Sequence, residues 1–156
     1  MKLKKSLMVT ALACAFGLGV VSPAHAGTGL ENQESPEACQ KTQAASTFKF
    51  AIYYNSNYGG AYRNIGYSVY DFADERIGGA PQGGLQPLLF CHGGAGNLQG
   101  IKNNAASAKN KHPTYYSVVY YNSGYKGDSD WIAPNSGWSQ LAGTYNENAS
   151  FAWQSL

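Results

Sequence analysis

Beyond residue 47 the apolar positions come in short runs of strand length, and each run ends in a cluster of Tyr, Asn, Ser and Gly. Residues 48–52 and 115–119 are rich in aromatic and β-branched side chains, which favour the half-buried surface of a strand. The first run leads into YYNSNYGG at 53–60 and the second into YYNSGYKG at 120–127, identical at six of eight positions at an offset of 67. The strands must turn sharply there. Asn and Ser side chains bond nearby backbone and tolerate left-handed geometry, and Gly60 and Gly127 sit where positive φ is expected. Within 64–72, Ile65, Tyr67, Val69 and Asp71 share one face by period two, which predicts a further strand. The matching stretch of the second unit is 130–138, where Ile132 aligns with Ile65 at the same offset. Each unit closes on an Asn-x-x-Ala-Ser element, at 103–107 and 146–150.

Two such units, neither able to bury its own apolar face, must pack on each other. The economical answer is an all-β sandwich with Greek-key connections, built from unit one at 48–110 and unit two at 115–156. Unit one is longer by 24 residues between Gly60 and Asn103 than unit two is between Gly127 and Asn146. The surplus falls in a Gly- and Pro-rich excursion at 78–100, with Leu88, Leu89 and Phe90 as its small apolar centre. Ahead of unit one, 27–47 is polar, contains Glu31, Glu34, Pro36 and Glu37, and has no apolar period, so it is expected to be a lead-in arm tied down at Cys39.

Residues 1–26 read as an export signal: Lys2, Lys4 and Lys5, an apolar run at 7–21, and an A-x-A site ending at Ala26. The run is shorter than the roughly 20 apolar residues a span needs. Cleavage leaves 130 residues, one domain's worth, secreted and free of the membrane. It removes three lysines and Cys14, which moves the formal charge from +2 to −1 and gives a nucleic-acid role no support. The 19 Gly and 12 Tyr, with 13% charged residues, suit a loop-rich exported β protein, expected to be a monomer. Cys39 and Cys91 remain, and an even pair in an exported chain forms a disulfide, worth roughly 4 kcal/mol by loop closure. Metal ligation by these cysteines lacks a Cys-x-x-Cys spacing and a nearby His pair.

No enzyme is expected. His92 lies in the excursion and His112 before Pro113, outside any nucleophile or zinc motif, and Asp71, Asp74, Glu75, Asp128 and Asp130 read as turn carboxylates. The aromatic residues Tyr62, Tyr67, Tyr70, Trp131 and Trp138 could form a sugar-binding face, though core and corner positions are the commoner use. The exposed, stiffened loop that a substrate-like inhibitor requires is best met by 85–92. There Pro87 fixes φ, Leu88, Leu89 and Phe90 offer apolar anchors, and Cys91 ties one end; the same residues could instead tuck into a satellite core.

Tyr-x-x-x-x-Tyr-x-Gly at 53–60 and 120–127, followed in each unit by an Asn/Asp-Asn/Asp-x-x-Ser element, resembles the βγ-crystallin double Greek key. The exported form, with Asn-Tyr-Gly-Gly and Asn-Ala-Ser turns, is similar to an actinobacterial peptidase-inhibitor family that includes a metalloproteinase inhibitor. The resemblance covers 48–153. It implies a protein partner, an extracellular peptidase, against which Leu88, Leu89, Phe90 and Cys91 of the 85–92 loop are the expected inhibitory residues. It also implies oxygen ligands for calcium from Asn103, Asn104, Ser107, Asn146, Glu147 and Ser150. Only Glu147 among them is charged, so calcium would be weak and not required, and the same groups could simply close their turns. The alternatives on this scaffold are a calcium-stabilised structural or cell-envelope protein and a secreted killer-toxin-like protein.

Overall fold

The computed structural model describes residues 24–75 and 86–156; the expected export signal and the first part of the excursion lie outside them, apart from 24–26. Two helices, α1 (Ala24–Glu34) and α2 (Pro36–Cys39), precede seven strands: β1 (Phe50–Asn55), β2 (Gly59–Ile65), β3 (Ser107–Asn110), β4 (Tyr116–Asn122), β5 (Lys126–Ile132), β6 (Ser136–Trp138) and β7 (Ser150–Gln154). They form two antiparallel sheets, ordered β2-β1-β3-β6 and β5-β4-β7. The expected all-β Greek-key sandwich is what the chain builds, and the units exchange strands. From unit two, β6 pairs with β3 in the first sheet, while Val69 of unit one bridges Phe151 on β7 in the second.

That exchange corrects the expectation of a continuous strand over 64–72. The chain leaves β2 at Ile65 and joins the other sheet at Val69; both are buried, but under different sheets. The two Tyr/Gly turns behave alike. Gly60 and Gly127 have φ of 71° and 79°, and a Cβ on Gly60 would stand 2.8 Å from the Ala95 carbonyl oxygen. Ile65 and Ile132 end β2 and β5 in matching, fully buried positions. Between the sheets, Phe50 stacks on Phe151 at 4.1 Å, and Ile52, Val119 and Leu141 fill the same layer.

The arm is more ordered than its composition implies. Residues 24–34 include Gly27, Thr28 and Gly29, poor helix formers, so α1 is held by tertiary contacts rather than propensity. Arg63, buried in β2, donates from Nε and Nη2 to the Asn32 carbonyl and from Nη2 to that of Gln33, satisfying carbonyls that the helix end leaves open. Asn32 is fully buried; its Oδ1 accepts from the Gly66 and Tyr67 amides, and its Nδ2 donates to the Tyr67 carbonyl and Glu75 Oε1. For α2 the local signal is Ser35-Pro36-Glu37: the Ser35 hydroxyl caps the Glu37 amide and Pro36 opens the helix.

Candidate functional site

The excursion returns to the body along the free edge of β2. Tyr62 and Cys91 exchange backbone hydrogen bonds, the Leu88 amide donates to the Phe72 carbonyl, and Ile101 donates back to Leu88. Alternation along this added strand turns Leu88 and Phe90 inward, and both are fully buried in the core, with Phe90 edge-on to Tyr54 at 5.6 Å. Leu89 is half-buried, and its carbonyl accepts from Arg63 Nη1. The inhibitory-loop assignment is therefore corrected at Leu88 and Phe90: both are core, the packed alternative of the two, because an apolar pair two positions apart fits the inward positions of a strand. Cys91 does bond Cys39, with 5.6 Å between Cα atoms, which clips the excursion to the end of α2.

Among the described residues of the excursion, most of the exposed ones lie at its tip. Residues 93–95 and 97–99 are exposed, and Leu98 is 69% exposed, the largest fraction of any Leu on the described body apart from the terminal Leu156. Both stems are held, by Phe90 donating to the Gln99 carbonyl and Leu98 donating to that of Phe90. The middle is held too, by the Ala61 amide on the Ala95 carbonyl. Five residues here, His92, Gly93, Gly94, Gly96 and Leu98, have left-handed φ between 64° and 91°. The tip is a preformed knob that lies beyond the 85–92 segment expected to serve as the loop. Beside it, the His92 ring lies flat on Tyr62 at 4.2 Å, and burial lowers the His92 pKa against a contact with the Ala38 carbonyl that raises it.

The two closing elements meet about an internal pseudo-dyad. The Asn103 amide donates to the Asn148 carbonyl and the Asn146 amide to that of Ala105; Asn103 and Asn146 both have left-handed φ. Two clefts result. One, about 230 Å³, is walled by Tyr54, Asn55, Ser56, Asn104 and Tyr145; the other, about 300 Å³, by Lys102, Tyr121, Asn122, Ser123 and Glu147; Asn103 and Asn146 line both. The implied calcium ligands thus approach one another, but they do not make a strong hard-cation site. Ser107 and Ser150 are fully buried and spent on their turns, donating to the Asn55 and Asn122 carbonyls and accepting from the Tyr58 and Tyr125 amides. Asn104 Nδ2 donates to Gly100 and Lys102 carbonyls. In the second cleft a cation is already built in: Lys102 Nζ lies 3.0 Å from Asp71 and 2.9 Å from the Ser123 hydroxyl. Among the described residues no three His, Cys, Asp or Glu side chains converge.

Asp130 and His112 are likewise engaged. Asp130 is buried and accepts from the Ala142, Gly143 and Thr144 amides and the Thr144 hydroxyl. His112 Nδ1 accepts from the Thr114 and Tyr115 amides. Sequence reasoning missed Arg63 and Asn32, and in the tip Leu98. Arg63 left a signal, since it stands two residues before Ile65 and so on the inward face of the same strand.

No family model matches the chain, and no curated protein matches it. Among solved structures it is similar to one from work on the evolution of the eye lens βγ-crystallin domain fold, at 14% identity over 70% of this chain and 87% of that one, with a TM-score of 0.49. It is similar also to a βγ-crystallin from Ciona intestinalis (16% identity, 68% of this chain, 99% of that one, TM-score 0.45). A βγ-crystallin domain from Flavobacterium johnsoniae gives 19% identity over 68% and 93%, with a TM-score of 0.45.

Proposed function

We propose that this chain is an exported, non-catalytic binding domain that meets a protein partner, an extracellular peptidase, through the knob at 93–99 rather than through Leu88, Leu89 and Phe90. The observation that carries the reading is the fixation of that knob: the Cys39–Cys91 disulfide at its base, backbone bonds across both stems, and the Ala61–Ala95 bond at its middle. A loop ordered before binding loses little further entropy on association, which a tight inhibitor needs. Leu98 is its one exposed apolar anchor. The left-handed turns suit a plug that blocks a cleft better than a peptide threaded as substrate. Non-catalytic action fits the engagement of Asp71, Asp130 and His112 in internal bonds. The target class comes from the motif resemblance at 53–60 and 120–127.

The test is inhibition of a panel of secreted peptidases, thermolysin-type metallopeptidases among them, by the purified chain beginning at Gly27. Leu98→Asp should weaken inhibition at least tenfold with an unchanged melting temperature, and absence of inhibition or capture across the panel would overturn the reading. The calcium-stabilised structural alternative has less to stand on, given the spent Ser107 and Ser150 hydroxyls and the Lys102 ammonium in one cleft.

A further inference from the structure

The two sheets are built from repeated units, but their outer faces are treated differently. On the first sheet the outward positions Ala51, Tyr53 and Asn64 are 0%, 6% and 0% exposed, because 37–46 lies across them: Asn64 Nδ2 donates to the Glu37 and Lys41 carbonyls, and the Tyr53 hydroxyl to Gln43 Oε1. The matching positions of the second sheet, 67 residues on, are Val118, Tyr120 and Trp131. Val119 and Phe151 point into the core, so alternation places Tyr116, Val118, Tyr120 and Ala152 on the outer face, with Trp131 opposite Val118. Among the described residues no helix or arm lies there. Trp131 is 43% exposed, and the neighbouring Tyr125 and Tyr70 are 36% and 63% exposed.

The rings themselves cover the sheet. Val118 and Ala152 beneath them are 0% and 5% exposed. Two clusters result, Tyr116 against Trp131 at 6.1 Å, and Tyr125 between Tyr120 at 5.9 Å and Tyr70 at 5.7 Å. They are four residues apart along β4, about 13 Å.

We propose that this aromatic platform binds a neutral polysaccharide, its pyranose rings stacked on the two clusters and its chain running along β4. Three observations select that occupant. The central positions, Tyr116, Val118, Tyr120, Ser129, Trp131 and Gln154, carry no formal charge, so a charged polymer finds no counter-ions there. The exposed apolar surface is all Tyr and Trp, whose ring faces attract the polarised C–H bonds of a sugar while hydroxyls and the Gln154 amide meet its polar edges. The platform is small, about 14 Å on a side and roughly 200 Å² in plan. That is well short of the ~800 Å² each partner of a stable protein complex buries. Apart from Tyr70, this surface belongs to the second unit, and the knob at 93–99 to the first.

The experiment is depletion of the purified full chain from solution by microcrystalline cellulose and by chitin powder, with tryptophan fluorescence titrated against cello- and chito-oligosaccharides. Retention by at least one of the two solids is expected, with affinity reduced tenfold or more in Trp131→Ala and in Tyr70→Ala, the latter a residue too exposed for its loss to unfold the chain. Leu98→Asp should bind like the parent, which separates this site from the peptidase reading. Absence of retention on both solids, retention undiminished in both variants, or a concentration-dependent dimer dissolved by Trp131→Ala would overturn the proposal, the last by assigning the face to a second copy of the chain.

Discussion

Truncating Phe90 to Ala separates the buried strand of the excursion from its exposed tip. Phe90 is fully buried, meets Tyr54 edge-on at 5.6 Å, and shares the core with Leu88 and Ile101. Removing such a ring costs the transfer free energy of its carbons and leaves a cavity, together about 3–5 kcal/mol. The edge-on contact accounts for about 0.5–1.5 kcal/mol of that. Against a total stability of roughly 5–15 kcal/mol the loss is large. Leu98→Ala, eight residues away on the same excursion, removes a side chain that is 69% exposed and should stay within about 0.5 kcal/mol. Urea unfolding of the oxidised protein, followed by the fluorescence of Trp131, Trp138 and Trp153, reads both. With a slope of about 1–3 kcal/mol per molar, the Phe90→Ala midpoint should fall by about 2 M while the slope is kept. A midpoint within about 0.3 M of the parent would refute the assignment of Phe90 to the core and restore 88–91 as an exposed loop.

Two further perturbations test the attachment of the arm. Glu75 is buried, and burial pushes its carboxyl up to about 7, against the Asn32 hydrogen bond that lowers it; Asp74 raises it further and Arg63 lowers it. A folded-state pKa above the unfolded value of roughly 4.3 means the folded chain holds more protons in between. Its contribution to stability is therefore present below pH ~4.3, falls as pH rises toward 7, and is flat above. Melting temperatures from pH 4.5 to 8 should show that slope in the parent and lose it in Glu75→Gln; the comparison cancels the opposite trend expected of His92, whose lowered pKa makes stability rise with pH just below 6.5. Reduction of Cys39–Cys91, which spans 52 residues, should lower stability by about 4 kcal/mol in urea, and a change under ~1 kcal/mol would show that the arm needs no staple.

The sandwich was legible because the repeat is written in backbone-specific chemistry. Gly60 and Gly127 must take positive φ, and the Tyr-Asn-Ser runs before them carry the strands into the turn, so local residues alone locate β1, β2, β4 and β5. The disulfide was legible from the expected export and the cysteine count. The exchange of strands was not, since Ile65 and Val69 keep one period across a crossover that only the second sheet explains. Nor was α1, whose sequence favours no helix and whose order comes from Arg63 and Asn32. The burial of Leu88 and Phe90 was readable as one of two outcomes. An apolar triplet in a Gly-rich loop has the same sequence whether a free strand edge waits for it or not.

Arg63 and Asp130 show why counting apolar positions stops short of the fold. At the offset of 67 they occupy the same place, two residues before the matched Ile65 and Ile132, on the inward face of their strands. Each is buried, and each closes its unit, but with opposite hydrogen-bonding character. In unit one the passing chain is the end of α1, which offers carbonyls without partners, and a guanidinium donates to Asn32, Gln33 and Leu89. In unit two the passing chain is the turn at 142–144, which offers amides, and a carboxylate accepts from all three. A buried charge survives in a core only when such partners meet it, so the identity of each residue reports what the neighbouring chain lacks. The charged residue at an inward position is then information about a contact between segments far apart in sequence. It follows that the arm is part of the folded unit, because without α1 the Arg63 guanidinium would lose three of its four bonds while staying inside the sheet.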